Sequence, residues 1–255
     1  MRLCWFTTLI LLFGTLAKSE DLTLKIPPVT TSVLIGNQPI TITARGVISR
    51  VSRSQDQQVF RLEVTADLSD LQRNITSLLQ AELDRSDRCG ERIAIDHATL
   101  APLDPASLLT VQLHYERYAC AKAFGKQMVT RLVAGNGLVP IKLTPAVEQN
   151  APRLNPEVGT IQAGGSLGEL LRSGSLGTML REKITKSLVS AMQKGVSFGG
   201  TLPGAVPDAA ASIRNAQFVD AGSGRLAFVL TGEVRITAQQ VELLISRLKE
   251  RVRTQ

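Results

Sequence analysis

The feature that most constrains the fold of this chain is a two-residue alternation of apolar and polar side chains, which recurs along much of its length. Successive side chains of a strand point to opposite faces of a sheet, so this alternation is typical of strands with one buried face. The clearest case runs from Leu108 to Tyr118, where Leu109, Val111 and Leu113 alternate with polar residues. By the same criterion, we expect strands at 39–51, 60–65, 126–133, 141–144, 213–219 and 225–236.

Apolar residues at helical spacing separate these strands. They predict helices at 67–85, 176–194 and 241–252, and a capping box formed by Ser166 and Glu169 predicts a short helix at 166–172. Antiparallel strands interrupted by helices are the pattern of the α+β class.

Glycines and prolines indicate where strands turn or end. Gly135-Asn136-Gly137 supplies residues that tolerate positive φ and predicts a tight hairpin between the strands at 126–133 and 141–144. Three prolines at 145, 152 and 156 predict an edge strand or a crossing segment, because proline has no N–H to donate to a neighbouring strand. The Pro27-Pro28 pair breaks any helix in the region 20–38, which we expect to be extended.

The N-terminus predicts export. Arg2 precedes an apolar run from Leu3 to Ala17, which is 15 residues long, and Ala17-Lys18-Ser19 places small residues at the two positions that a signal peptidase reads. A spanning helix needs about 20 residues, so a cleaved signal fits better than an anchor. We therefore expect a signal peptide at 1–19, an extended segment at 20–38 and a single α+β domain at 39–255, placed in the periplasm or outside the cell.

The cysteine count predicts one disulfide. Cys4 leaves with the signal, so Cys89 and Cys120 remain as a pair in an oxidising compartment. Their bond would close a loop of about 30 residues and stabilise the fold by about 3–4 kcal/mol. The alternatives are two free thiols or half a zinc site. The zinc site would need two more ligands, and His97 and His114 lack ligand spacing, so we predict no metal.

Charge and aromatic content argue against nucleic acid as a partner. Removing Arg2 and Lys18 with the signal lowers the net charge from +7 to +5. Few aromatic residues remain for stacking on bases. The C-terminal cations complement a helix dipole, and contact with an anionic membrane surface is the alternative interpretation. These cations are Arg247, Lys249, Arg251 and Arg253.

No pattern in the sequence predicts catalysis. The nucleophile elbow, the zinc-protease helix and the dinucleotide fingerprint are all missing from it. His114 and Glu116 share one face of a strand and could form an acid–base pair, but such pairs are more often solvent-facing ladders. We predict a non-enzyme with no catalytic residue and no cofactor, in which His97, His114 and Glu116 are dispensable for any turnover.

The order and size of the elements from Pro39 to Glu250 resemble the tubular lipid-binding superfamily, which includes the bactericidal/permeability-increasing protein family. The resemblance rests on element order rather than on a motif, and it places no family ligand residue on this chain. It implies a curved antiparallel sheet wrapped around a long amphipathic helix.

An apolar gap between such a sheet and its helix would accept an acyl chain, since each buried methylene contributes about 0.8 kcal/mol. The predicted function is therefore an exported, non-catalytic protein that binds a lipid or other amphipathic ligand in an elongated apolar groove. The residues expected to line the groove are Val111, Leu113, Leu180, Ile184, Leu188, Phe228 and Leu230. The alternative is an envelope interaction protein in which these residues pack as a filled core and bind no small molecule.

Overall fold

The computed structural model describes residues 23–35, 38–53, 57–86, 89–123, 126–172 and 210–237. Strands hold 77% of these residues. The strands are β1 (Thr23–Ile35), β2 (Gln38–Arg53), β3 (Gln57–Asp67), β4 (Arg85–Ser86), β5 (Gly90–Leu103), β6 (Ala106–Ala123), β7 (Lys126–Glu148), β8 (Ala151–Val158), β9 (Gln162–Ala163), β10 (Ala210–Asp220) and β11 (Leu226–Thr237). The helices are α1 (Ser69–Leu83) and α2 (Gly165–Arg172).

The strands form two antiparallel sheets. The first sheet has the order β1-β2-β3-β11-β10, and the second has the order β4-β5-β6-β7-β8, with β9 also paired to β7. Strand β10 connects the two, because the backbone N–H of Phe218 donates to the carbonyl of Pro105, in the turn between β5 and β6, at 2.9 Å. The buried core lies between the inner face of the second sheet, α1 and the facing residues of β10 and β11.

The prediction of one curved sheet wrapped around a long helix is wrong. The described residues form two separate sheets, and their helices are only 15 and 8 residues long. Alternation identifies a strand and its buried face, but it carries no information on how strands divide between sheets. The helices expected at 176–194 and 241–252 lie outside the described residues.

The hairpin predicted at Gly135-Asn136-Gly137 is also wrong. Strand β7 continues through these residues, which pair in register with Tyr115, His114 and Leu113 of β6. The glycines instead serve packing. A Cβ at Gly135 would lie 2.8 Å from Cβ of Leu167, which α2 places against β7 with no exposed surface. Gly135 therefore lets α2 approach the sheet closely.

Helix α1 follows the predicted stripe and adds a second, polar one. Its buried face carries Leu71, Ile75, Leu78, Leu79 and Leu83. Beside that face, Gln72, Thr76 and Gln80 of α1 and Asp84, which directly follows the helix, bond the backbone of β5 at intervals of four residues.

These bonds close an edge of β5. Thr76 Oγ1 accepts from Ala98 N at 3.0 Å and donates to Ala98 O at 3.1 Å. Gln80 Nε2 donates to Ile95 O at 2.8 Å, and Asp84 Oδ1 accepts from Ile95 N at 2.7 Å. Side chains of α1 therefore bond backbone groups of β5 that β6 does not use, and a helix covers this edge of the strand.

Gln72 connects the two sheets through α1. Its Nε2 donates to Leu100 O at 2.8 Å in β5 and to Gly224 O at 3.0 Å in the turn before β11, while its Oε1 accepts from Leu226 N at 2.7 Å. One amide thus bonds three backbone groups drawn from both sides of the core.

Two of the three prolines lie on an edge strand, as one of the two interpretations predicted, whereas Pro145 lies in β7, opposite Leu154 of β8. Strand β8 ends the second sheet, and its Pro152 and Pro156 face Val147 and Leu143 of β7. Proline has no N–H to donate, so it fits where the backbone nitrogen faces away from β7. The outer edge of β8 therefore lacks a hydrogen-bond donor at Pro152 and Pro156.

The predicted disulfide is confirmed. Cys89 and Cys120 are joined, with their Cα atoms 5.7 Å apart. Cys89 directly precedes β5, and Cys120 lies in the neighbouring strand β6. The bond therefore joins these two strands beside the pair formed by Gly90 and Tyr118.

The polar stripe of α1 is testable by removing one hydroxyl. We expect Thr76→Val, which keeps the shape of the side chain, to lower the free energy of unfolding by about 1–3 kcal/mol, because both backbone groups of Ala98 lose their partner. Thr99→Val, on the exposed face of β5, should change it by less than about 0.5 kcal/mol. Urea denaturation measures both, and equal effects would contradict the assigned role of Thr76.

The packing role of Gly135 is testable against its neighbour. We expect Gly135→Ala to destabilise the protein by about 1–3 kcal/mol, because the added methyl group overlaps Leu167. Gly137→Ala should be tolerated, since its Cβ would lie 3.7 Å from the nearest atom, Cδ1 of Leu113. Thermal denaturation compares the two variants. If they melt together, α2 does not depend on the glycine.

Candidate functional site

A cluster of charged and polar side chains lies on the outer face of the second sheet, around Glu116. Its carboxylate accepts from the Tyr118 hydroxyl at 2.9 Å and from Arg131 at 3.3 Å. Arg92 approaches the same carboxylate at 3.8 Å and stacks its guanidinium 4.5 Å from the centre of the Tyr118 ring. Three adjacent strands, β5, β6 and β7, therefore converge on one carboxylate.

His114 sits at the side of this cluster. Its Nδ1 lies 2.6 Å from Oδ1 of Asn136, and its Nε2 lies 3.8 Å from Oε1 of Glu116. The predicted sharing of one face by His114 and Glu116 is thus found. The arrangement is a network of ion pairs and hydrogen bonds between neighbouring strands. His97 pairs with Gln112 in the register of β5 and β6 and is exposed.

The contacts around Glu116 change its acidity. The hydrogen bond from Tyr118 holds the pKa of Glu116 below its ordinary value, and the hydrogen bond from Arg131 adds to this. The same contact raises the pKa of the Tyr118 hydroxyl, because Glu116 stabilises its protonated form. On the buried face, desolvation and then the nearby Glu91 raise the pKa of Tyr115 to about 12.

Beyond this cluster, β6 and β7 continue as a two-stranded ribbon, which we call the arm and define as residues 119–123 and 126–132. Strand β5 begins at Gly90, opposite Tyr118, so among the described strands residues 119–123 pair with β7. Five residues at about 3.4 Å each extend the ribbon by about 17 Å. The disulfide attaches Cys120 of the arm to the main sheet.

The arm exposes apolar side chains to solvent. Met128, Val129 and Leu132 are 59%, 45% and 56% exposed. Met128 and Val129 are consecutive in a strand and therefore point to opposite faces of the ribbon. Leu132 is the extra residue where the register shifts between Arg117 and Tyr118. Further large apolar residues are exposed on the first sheet, where Val29 and Leu34 of β1 are 58% and 68% exposed.

A polar cleft of about 560 Å³ opens where α1 begins. Its lining comprises Thr41, Thr43, Asp67, Ser69, Asp70, Gln72, Arg73 and Arg225. Asp70 accepts from Thr41 N at 2.7 Å and from Arg73 at 3.0 Å, and the first of these bonds chiefly lowers its pKa. The carboxylate is thus engaged in fastening α1 to β2.

The predicted groove-lining residues separate into three groups. Val111 and Leu113 are 2% exposed and Phe228 is 9% exposed, all within the core, and Leu230 packs against that core half-buried. Leu180, Ile184 and Leu188 lie outside the described residues. The arginines of the Glu116 cluster were not predicted, since they come from neighbouring strands. The only sequence signal for them was the shared face of His114 and Glu116.

Metal sites and membrane-spanning helices were sought in the described ranges. No group of three or more His, Cys, Asp or Glu side chains there could hold a metal ion. No helix in the same ranges is long and apolar enough to cross a membrane.

Comparison with known proteins gives no relative. No family model matches the chain, and neither a curated protein nor a solved structure matches it. The resemblance to the tubular lipid-binding superfamily is therefore an expectation that these comparisons leave untested.

The Glu116 network predicts a specific pH dependence. Because its folded-state pKa lies below the ordinary value of 4.5, Glu116 stabilises the protein above that pH and loses its contribution as pH falls through the folded-state pKa. We expect Glu116→Gln and Tyr118→Phe each to flatten the fall of unfolding free energy between about pH 5 and pH 3. Glu157→Gln, on the exposed edge of β8, controls for the loss of one charge. Wild-type steepness in both cluster variants would rule out this role.

Proposed function

We propose that this chain is an exported, non-catalytic protein that recognises its partner through exposed strand surfaces rather than through an internal cavity. The observation that carries the proposal is the contrast between core and surface. Leu109, Val139 and Ile141 have no exposed surface, whereas Met128 and Leu132 on the arm are more than half exposed. Exposed apolar side chains make the arm the better candidate for binding than these buried residues.

Export supports this function. The disulfide between Cys89 and Cys120 is compatible with an oxidising compartment. Together with the apolar leader ending in Ala-Lys-Ser, it supports a processed protein that begins near Glu20 and works in the periplasm or outside the cell.

An interaction protein also fits the chemistry of the Glu116 cluster. Arg92 and Arg131 contact the one carboxylate of Glu116, so the cluster links three strands at the base of the arm. No reacting group is needed for that role, which is why we place the cluster in support of a binding surface.

The proposal is tested on the processed protein recovered from a host that exports it. We expect N-terminal sequencing to begin near residue 20, and organic extraction followed by mass spectrometry to release no stoichiometric lipid. His114→Ala should leave the protein unchanged in any esterase or phosphatase screen. One lipid per chain, retained when Met128 is replaced by Ser, would favour the internal groove instead. An activity abolished by His114→Ala would show an enzyme.

A further inference from the structure

We propose that the arm docks into the headgroup layer of an anionic lipid bilayer, which specifies the partner of the proposed function and rests on it. Three features of the arm lead to this partner: apolar side chains on both of its faces, a uniformly positive sequence, and a rigid base.

Apolar side chains are exposed on both faces of the arm, and this indicates a partner that can cover both faces. Met128 and Val129 point to opposite faces of the ribbon, and both are exposed. A flat protein surface could cover one of these faces but would leave the other in water. A bilayer interface surrounds an inserted ribbon, so it covers both faces at once.

The charge of the arm selects an anionic surface. The arm contains three basic residues, Lys122, Lys126 and Arg131, and no acidic residue. Arg131 is already paired with Glu116, so the two lysines supply the unshared positive charge in the sequence of the arm. Each basic residue close to an anionic bilayer raises binding about fivefold. Binding of single-stranded nucleic acid typically uses exposed aromatic rings for stacking, whereas Tyr118 is already engaged by Glu116 and Arg92.

The base of the arm is fixed before binding. The disulfide holds Cys120 to the start of β5, and Arg131 and Tyr118 are both bonded to Glu116. A ribbon held in this way loses little conformational freedom when it inserts, so its few apolar side chains suffice for docking.

The test is sedimentation of the processed protein with two kinds of vesicle, pure phosphatidylcholine and phosphatidylcholine mixed with phosphatidylglycerol. We expect binding to the mixed vesicles, little binding to the neutral ones, and weaker binding as salt is added. The triple variant Met128→Ser, Val129→Ser and Leu132→Ser should bind at least tenfold more weakly. The pair Lys122→Gln and Lys126→Gln should lower binding about 25-fold.

Matched controls lie on the first sheet. Val29→Ser with Leu34→Ser removes equally exposed apolar side chains from β1, and Lys25→Gln with Arg45→Gln removes two exposed cations. Both control pairs should bind the mixed vesicles as the unmodified protein does. Circular dichroism and melting temperature confirm that every variant folds.

Three results would overturn the inference. These are no binding to the mixed vesicles, equal loss in the arm and control variants, or a dimer whose dissociation follows the arm substitutions. The last two would still leave a surface-binding protein, with a distributed surface or a second copy as partner. Stoichiometric lipid extracted from the protein would instead contradict the proposed function itself.

Discussion

The structure depends on the bonds between the polar stripe of α1 and the free edge of β5. Without a neighbour, backbone groups of Ile95, Ala98 and Leu100 on that edge would be left without protein partners, and such groups are costly to bury unpaired. The side chains at 72, 76, 80 and 84 supply those partners from a helix. Gln72 also accepts a hydrogen bond from the backbone of Leu226, so the placement of α1 positions β11 and the first sheet relative to the core.

This placement explains why the inner face of the second sheet is buried. The apolar stripe of α1 lies beside its polar stripe. When the polar stripe bonds β5, the apolar stripe packs against the core. Leu167 of α2 completes the cover over β7 because Gly135 leaves room for it. The outer face of this sheet carries the Glu116 network, and the arm continues from it.

The sequence predicted the elements better than their arrangement. Strand alternation, the α1 stripe, the cysteine pair and the edge prolines are local or countable signals, and the structure bears them out. Gly135-Asn136-Gly137 misled because a tight hairpin and a close helix contact both favour glycine. The site was half predicted. His114 and Glu116 share a face because of strand periodicity, which the sequence shows. Arg92 and Arg131 lie beside them because of the strand register, and bulges in β5 and β7 determine that register.

The treatment of strand edges sets the arm apart from the rest of the described chain. Strand β5 is covered by α1, β8 carries prolines on its outer edge, and β1 contains Pro27-Pro28 at a register shift. These are ways in which proteins prevent unwanted strand pairing. The arm has neither a covering helix among the described residues nor a proline in its sequence. Lys122 and the neighbouring cations are the features that oppose strand pairing at its edges. Positive charge opposes pairing between copies of the arm. In the proposed docking, the same charge attracts the arm to an anionic bilayer, so one property would serve both stability in water and recognition.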